Sequence, residues 1–306
     1  MRDIVVVGSL NLDVSVQATR IPRPGETVRA AGLSIGPGGK GLNQAIAASR
    51  LGARVHMVGQ LGDDRFAEVP EAALRDAGVD ASYVRRLPGR HTGTALIVVD
   101  ETSGENAIAV AAGANRALSP QHVQDAVAAF RGSGVLMVQL ELPLETVETA
   151  LDLAKENALV TLLDPAPARE LPDTVLRKID VLTPNETEAE FLTGIRVRDP
   201  ESAAEAGARL RERTLSDVLV TLGAAGCVWV WSTGFEHIPA PRVEAVDTTA
   251  AGDAFNAGLA VGLARGEPIA RALRTAVRAG AAATLRSGAA AAMPTAEDLA
   301  ALPGAG

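Results

Sequence analysis

The sequence predicts a layered α/β protein: a mostly parallel sheet between two layers of helices, with a small β-sheet beside it as a lid. Three observations point there. Short β-branched runs alternate with longer stretches of helical spacing, two stretches break that rhythm with polar/apolar alternation, and 47% of the 306 residues are apolar. That composition can fill a large core, and α/β cores of this length occur as single units.

Ile4–Val7, Val55–Val58, Val135–Val138, Leu159–Leu163, Val181–Leu182 and Val218–Thr221 read as buried strands. Between them Leu42–Leu51, Phe66–Ala77 and Leu144–Glu156 carry apolar residues at helical spacing. Alternation of this kind requires right-handed helical crossovers between parallel strands. From about residue 14 to 36, and again from 91 to 111, the chain alternates without a helix and carries Pro and Gly. Both stretches predict antiparallel strands, expected to pair into one small sheet. A sheet with one apolar face must cover a site or bury that face in a partner, and a lid that also dimerises meets both demands. Cys227–Ile238 reads as strand, turn, strand, a hairpin at a sheet edge. With no repeat or low-complexity linker, residues 1–306 read as one domain into which the lid strands are inserted. Pro303–Gly306 reads as a loose tail.

Aromatic residues make up only 3% of the chain, so its helices must pack through Ala and Gly. The net charge is −8, with no run of Lys or Arg longer than two, so no basic stripe is available to track a nucleic acid. Phosphates can still bind where backbone amides and a metal ion neutralise them. The single cysteine, Cys227, cannot form an intrachain disulfide and is expected in a buried strand. The apolar run after Met1-Arg2-Asp3 is too short for a signal peptide or a membrane span, so a cytoplasmic protein is expected.

Four segments carry candidate chemistry. In Gly8-Ser9-Leu10-Asn11-Leu12-Asp13, extended backbone puts Asn11 and Asp13 on one face, where an amide and a carboxylate could grip neighbouring hydroxyls. A polar strand face in water fits the same spacing. Gly36-Pro37-Gly38-Gly39-Lys40-Gly41-Leu42-Asn43 opens a helix but fails P-loop spacing. Its glycines would allow close approach to a ligand, and Lys40 is one of only three lysines; a ligand-free glycine turn is the alternative. Asn185-Glu186-Thr187-Glu188 fits either an ordinary capping box or a place near metal and phosphate. Asp247-Thr248-Thr249-Ala250-Ala251-Gly252-Asp253 leads into a helix whose stop is expected at Gly266. The amides of Ala250, Ala251 and Gly252 would form an anion cradle at its positive end. A carboxylate at Asp253, beside such a cradle, makes chemical sense if a hydroxyl must lose its proton there. The alternative is an acidic first-turn residue that only matches the helix dipole.

In their order these segments, with Gln139-Leu140-Glu141, Pro165-Ala166-Pro167-Ala168 and Thr183 to Glu188, resemble the ribokinase family of carbohydrate kinases over nearly the whole chain. The resemblance implies a ribokinase-like three-layer α/β/α sandwich whose β lid also forms a dimer interface. It implies a kinase that uses ATP and Mg²⁺ on a sugar, with Asn11, Asp13, Gly39, Lys40, Asn43 and Glu141 holding it. Asp253 would be the base, and Ala250, Ala251 and Gly252 the anion hole. Asn185 and Glu188 would sit near the phosphates and Mg²⁺, and Thr221, Gly223, Ala224, Ala225 and Gly226 would border the nucleotide. A monovalent-cation site for K⁺ is implied at Asp247, Thr249, Ala283, Arg286 and Gly288, mostly through carbonyl oxygens. Ala292 stands where the family often has a serine at that site. An Asn–Asp pair suits a vicinal diol, and with Glu141 it favours ribose over a deoxy sugar. Another sugar, a nucleoside, or a non-catalytic sugar-binding role are the alternatives.

Overall fold

The computed structural model describes residues 1–303; the rest of the expected tail, 304–306, lies outside the described residues. Strands follow in the order β1 Ile4–Val7, β2 Asn11–Ala18, β3 Ala30–Gly38, β4 Val55–Gly62, β5 Asp80–Leu87, β6 Gly93–Asp100 and β7 Asn106–Ala111. Then come β8 Val135–Gln139, β9 Val160–Asp164, β10 Val181–Leu182, β11 Asp217–Thr221, β12 Cys227–Trp231 and β13 Gly234–Ile238. Nine of them form one sheet in the order β13-β12-β11-β10-β9-β8-β1-β4-β5, and the remaining four form a second in the order β3-β2-β6-β7.

The large sheet is parallel from β5 through β11, and only the β12–β13 hairpin runs antiparallel at its edge. Alternation within β1 shows why it lies between two layers. Ile4 and Val6 join one apolar cluster, with the helices Lys40–Arg50, Ala251–Ala264 and Ile269–Ala283. Val5 and Val7 join the other, with the helices Leu144–Glu156 and Pro200–Thr214. Each such fully buried side chain contributes about 1.5–3 kcal/mol. Ala and Gly do bring helices close: a Cβ added at Gly262 would lie 2.5 Å from the Ala272 Cβ. Cys227 is buried in β12, where burial pushes its thiol up to about 12.

Two sequence expectations need correction. The small sheet is not wholly antiparallel. Its hairpins β2–β3 and β6–β7 are antiparallel, but β2 and β6 pair in parallel, Asn11 opposite Gly93 and Ala18 opposite Asp100. Both strands leave the large sheet in the same direction, so only a parallel pairing can join them. Second, Asp80–Leu87 is a strand that the pattern did not single out. It closes one edge of the large sheet, where Arg85 and Arg86 reach solvent and blunt the apolar signal.

Candidate active site

The chain runs from β1 to one side of the sheet (β4, β5) and then returns to the other (β8, β9, β10, β11). Strand order therefore reverses beside β1, the place where open α/β sheets form a crevice at their carboxyl ends. Gly8, Glu141, Asp164, Asn185 and Thr221 all lie at or just beyond those ends.

β2 continues from β1 into the small sheet and brings Asn11 and Asp13 to this edge on one face. Asn115 fixes Asn11: its Nδ2 donates to Asn11 Oδ1 at 2.7 Å, and its Oδ1 accepts from the Leu10 amide at 2.9 Å. A Cβ at Gly38 would lie 2.0 Å from Asp13 Oδ2, so only glycine leaves the Asp13 carboxylate its place. Burial, and then Glu141, push Asp13 up to about 6. Asp13 Oδ1 is buried with no partner among the described residues, an acceptor aimed at something else.

Gly39 and Gly41 open the Lys40–Arg50 helix where it meets β1. A Cβ at Gly41 would lie 2.6 Å from the Gly8 backbone, and Gly39 has φ 93°. Chain thus meets chain at both glycines, and the helix's first turn enters the crevice. Lys40 Nζ stands 3.5 Å from Asp164 Oδ2. Burial alone would lower its pKa, but Asp164, Asp253, Glu141 and Glu188 outweigh burial and hold the ammonium above its ordinary range. Glu141 accepts from Ser9 Oγ and from the Lys40 amide at 3.4 Å.

Asp253 is 3% exposed in the first turn of Ala251–Ala264. Its Oδ2 accepts from Asn43 Nδ2 at 2.9 Å and its Oδ1 from Gln44 Nε2 at 3.1 Å. Burial raises it to about 6, with Lys40 opposing and Asp164 adding. Ala250 caps the helix in the left-handed region at φ 58°. The cradle differs in detail from expectation. The Ala251 amide donates to Thr248 O at 3.3 Å, whereas the Gly252 and Asp253 amides have no acceptor among the described residues.

Asn185 and Glu188 form a complete capping box. Glu188 Oε2 and Oε1 accept from the Asn185 amide and Nδ2 at 2.9 and 3.0 Å. Burial, then Asp164, raise Glu188 above its ordinary value. Asn185 also bridges to Thr221, and the exposed turn Gly223-Ala224-Ala225 follows. Gly226 closes this turn at φ 98°. Four carboxylates around one ammonium leave negative charge to be balanced. Among the described residues no cluster of acidic and histidine side chains forms a closed metal cage. This donor set fits Mg²⁺ held largely by water and nucleotide phosphates.

The residues of the implied monovalent site converge in part. Asp247 Oδ1 accepts from the Thr249 amide at 2.9 Å and Oδ2 from the Gly288 amide at 2.8 Å. Burial disfavours the Asp247 charge, but the Thr249 hydroxyl, these N–H groups and the Ser287 hydroxyl outweigh it and keep the carboxyl below its ordinary value. Among the described residues, the carbonyls of Thr249, Ala283, Arg286 and Gly288 accept no hydrogen bond. Free carbonyl oxygens suit a weakly hydrated monovalent cation. The Arg286 side chain is turned to Asp298. Ala292 is wholly buried and offers no side-chain oxygen.

Asp164, Gln44, Asn115 and Ser9 belong to this network and were not singled out in the sequence. Gln44 was the most findable, because it follows Asn43 in a helix whose other inward residues are apolar.

A carboxylate held beside unpaired helix amides can take a proton from an alcohol while those amides hold the anion that the alcohol attacks. That is the work of an alcohol phosphotransferase. The profile of the pfkB family carbohydrate kinases matches residues 1–296, and the chain belongs to that family. It is 39% identical to the ribokinase of Haemophilus influenzae over 97% of each chain. It is 40% identical to the deoxyribokinase of Salmonella typhi over 83% of each. The structure of Arabidopsis thaliana ribokinase complexed with ribose and ATP superposes with a TM-score of 0.90 at 31% identity, over 98% of this chain and 97% of the other. No helix among the described residues is long and apolar enough to cross a membrane.

Proposed function

We propose that this chain transfers the γ-phosphoryl group of ATP to the primary hydroxyl of D-ribose, giving D-ribose 5-phosphate in the cytoplasm. The observation that carries the proposal is the Asp253 carboxylate, buried, gripped by Asn43 and Gln44, and in the same first turn as amides that have no acceptor among the described residues. The likeness to ribokinases over nearly the whole chain supports it.

Phosphoryl transfer is mostly positioning and charge stabilisation. Asn11, Asp13, Gly39, Lys40, Asn43 and Glu141 hold the sugar, Asp13 through the carboxylate oxygen that has no partner among the described residues. Asp253 accepts the proton of the hydroxyl as it attacks. The amides of Ala250, Ala251 and Gly252, at the start of the Ala251–Ala264 helix, hold the transferring group. Asn185, Glu188, Thr221 and the turn Gly223-Ala224-Ala225-Gly226 flank the nucleotide. Mg²⁺, when bound near Asn185 and Glu188, supplies positive charge to the phosphates. Asp247 and the carbonyls of Thr249, Ala283, Arg286 and Gly288 would hold K⁺, whose charge would tie together the loops behind the helix start.

The small sheet acts as a lid on one catalytic domain and as the interface of a homodimer. Asn11 and Asp13 lie on its site face. The register puts Leu33, Ile35 and Leu96 on the opposite face, where they are 54–66% exposed. An apolar face so exposed on a small sheet is suited to cover by a second copy.

A second acceptor is favoured by one observation, the 40% identity to a deoxyribokinase over 83% of each chain. A coupled ADP-release assay with ribose, deoxyribose and other sugars, each with and without K⁺, separates the readings. Ribose should give the highest kcat/KM. A preference for deoxyribose would transfer the assignment to that sugar, and background release with every sugar would end the kinase reading.

A further inference from the structure

The carboxylate assigned as base is held by an amide that the reaction itself does not require. Gln44 and Gln139 are both wholly buried, and neither has a role in the sugar and nucleotide contacts above. Gln44 Nε2 donates to Asp253 Oδ1 at 3.1 Å and to Asp164 Oδ2 at 3.0 Å, spending both its hydrogens on two carboxylates. Those two oxygens are therefore within about 6 Å of each other, a separation at which like charges disfavour each other's ionisation. Ionised carboxylates only accept, so Gln44 must turn its NH₂ toward them and its Oε1 away. Gln139, at the end of β8, completes the arrangement: its Nε2 donates to Gln44 Oε1 at 2.6 Å. Gln139 in turn fits because residue 8 is glycine, for a Cβ there would lie 2.3 Å from Gln139 Oε1. The end of β1, Gln139, Gln44 and Asp253 thus form one continuous chain of contacts.

We propose that Gln44, locked in one orientation by Gln139, is a positioning residue that aims the Asp253 carboxylate at the acceptor hydroxyl and keeps Asp164 from taking its place. The proposal rests on the reading of Asp253 as base. The groups facing Asp253 can be named element by element. The Lys40–Arg50 helix presents Lys40, Asn43 and Gln44, and the end of β9 presents Asp164. Strands β1 and β8 contribute no titratable residue. On the Ile269–Ala283 helix, Arg271 and Arg274 are exposed, and Arg278 is bound to the carbonyls of Leu299, Leu302 and Pro303. Lys40 compensates the pair from one side and Asn43 holds the other oxygen of Asp253, so the neutral donor between the carboxylates sets how the two point relative to each other.

The test uses the full chain with ATP, Mg²⁺ and ribose. Gln44→Leu should lower kcat about 10-fold or more, with KM for ribose within about twofold, because the base is misdirected while the sugar's contacts remain. Loss of an N–H that favours the charged form should also move the acid limb of the kcat–pH profile upward. Gln139→Met keeps volume and leaves Gln44 free to turn. It should act in the same sense, more weakly, and it decides the matter if Gln44→Leu does not fold. Placed on Asp253→Asn, either change should cost nothing further. An unmoved kcat and acid limb in the folded variants would overturn the proposal. So would an equal loss with and without the Asp253 carboxylate. Near-parental turnover of Asp253→Asn alone would instead show that the base itself was misassigned, a result readable before either glutamine is changed.

Discussion

Replacing Asp253 by asparagine removes the proton acceptor and little else. The new side chain has nearly the same shape, and Asn43 can turn its amide toward it because Asn43 Oδ1 has no partner among the described residues. The fold should therefore survive, and Tm should not fall. Turnover should not survive. A positioned base contributes about 10²–10⁴-fold, or roughly 2.7–5.5 kcal/mol of barrier at 1.36 kcal/mol per decade. The parent supplies an internal check. With the carboxyl at about 6, it is about nine-tenths ionised at pH 7 and about one-tenth ionised at pH 5. Parental kcat should accordingly fall through a limb near pH 6, tenfold per unit below it, and this limb should be missing from the residual activity of Asp253→Asn. Coupled ADP release with ribose, scanned from pH 5 to 8, reads both. A variant kcat within about threefold of the parent would refute the base assignment.

Further outcomes follow from individual contacts. Asp13 is held at about 6 against an ordinary 3.8, so the folded chain binds its proton more tightly than the unfolded one. Its contribution to stability falls as pH rises through that window. Asp13→Asn should therefore raise KM for ribose and have a Tm that, relative to parent, is higher at pH 7.5 than at pH 4. Asp247→Ala unties the amides of Thr249 and Gly288, so thermal scans should lose any increment of Tm that K⁺ gives the parent. Gly226→Ala puts a Cβ 2.1 Å from Ile238 O at φ 98°, and denaturant melts should show a loss of about 1–3 kcal/mol.

Much of the scaffold was readable because its signals are local. Ile4–Val7 and Leu144–Glu156 were expected with the boundaries they have, since a β-branched run and an uninterrupted helical spacing need no partner to interpret. The pairing of the two distant stretches was expected too, but not the parallel direction of β2 and β6, because that depends on where each strand leaves the large sheet. The same holds for the site. Asn11 with Asp13, and Asp253 at a helix start, are patterns within a few residues. Asp164 and Gln44 acquire meaning only through contacts with residues about 120 and 209 positions away, and no spacing rule announces those. The capping box at Asn185 was legible but ambiguous; it caps its helix and lies beside Thr221 as well.

The junction between β1 and β2 has a mechanical meaning. Asn11 and Asp13 are parts of the small sheet, not of the wall beneath it, and only Gly8-Ser9-Leu10 separates them from a strand fixed at the molecule's centre. Any tilt of that sheet carries the two polar groups with it. If the sheet closes as the proposed lid, affinity for the sugar and the angle of the cover are two readings of one equilibrium, and whatever stiffens the hinge acts on both.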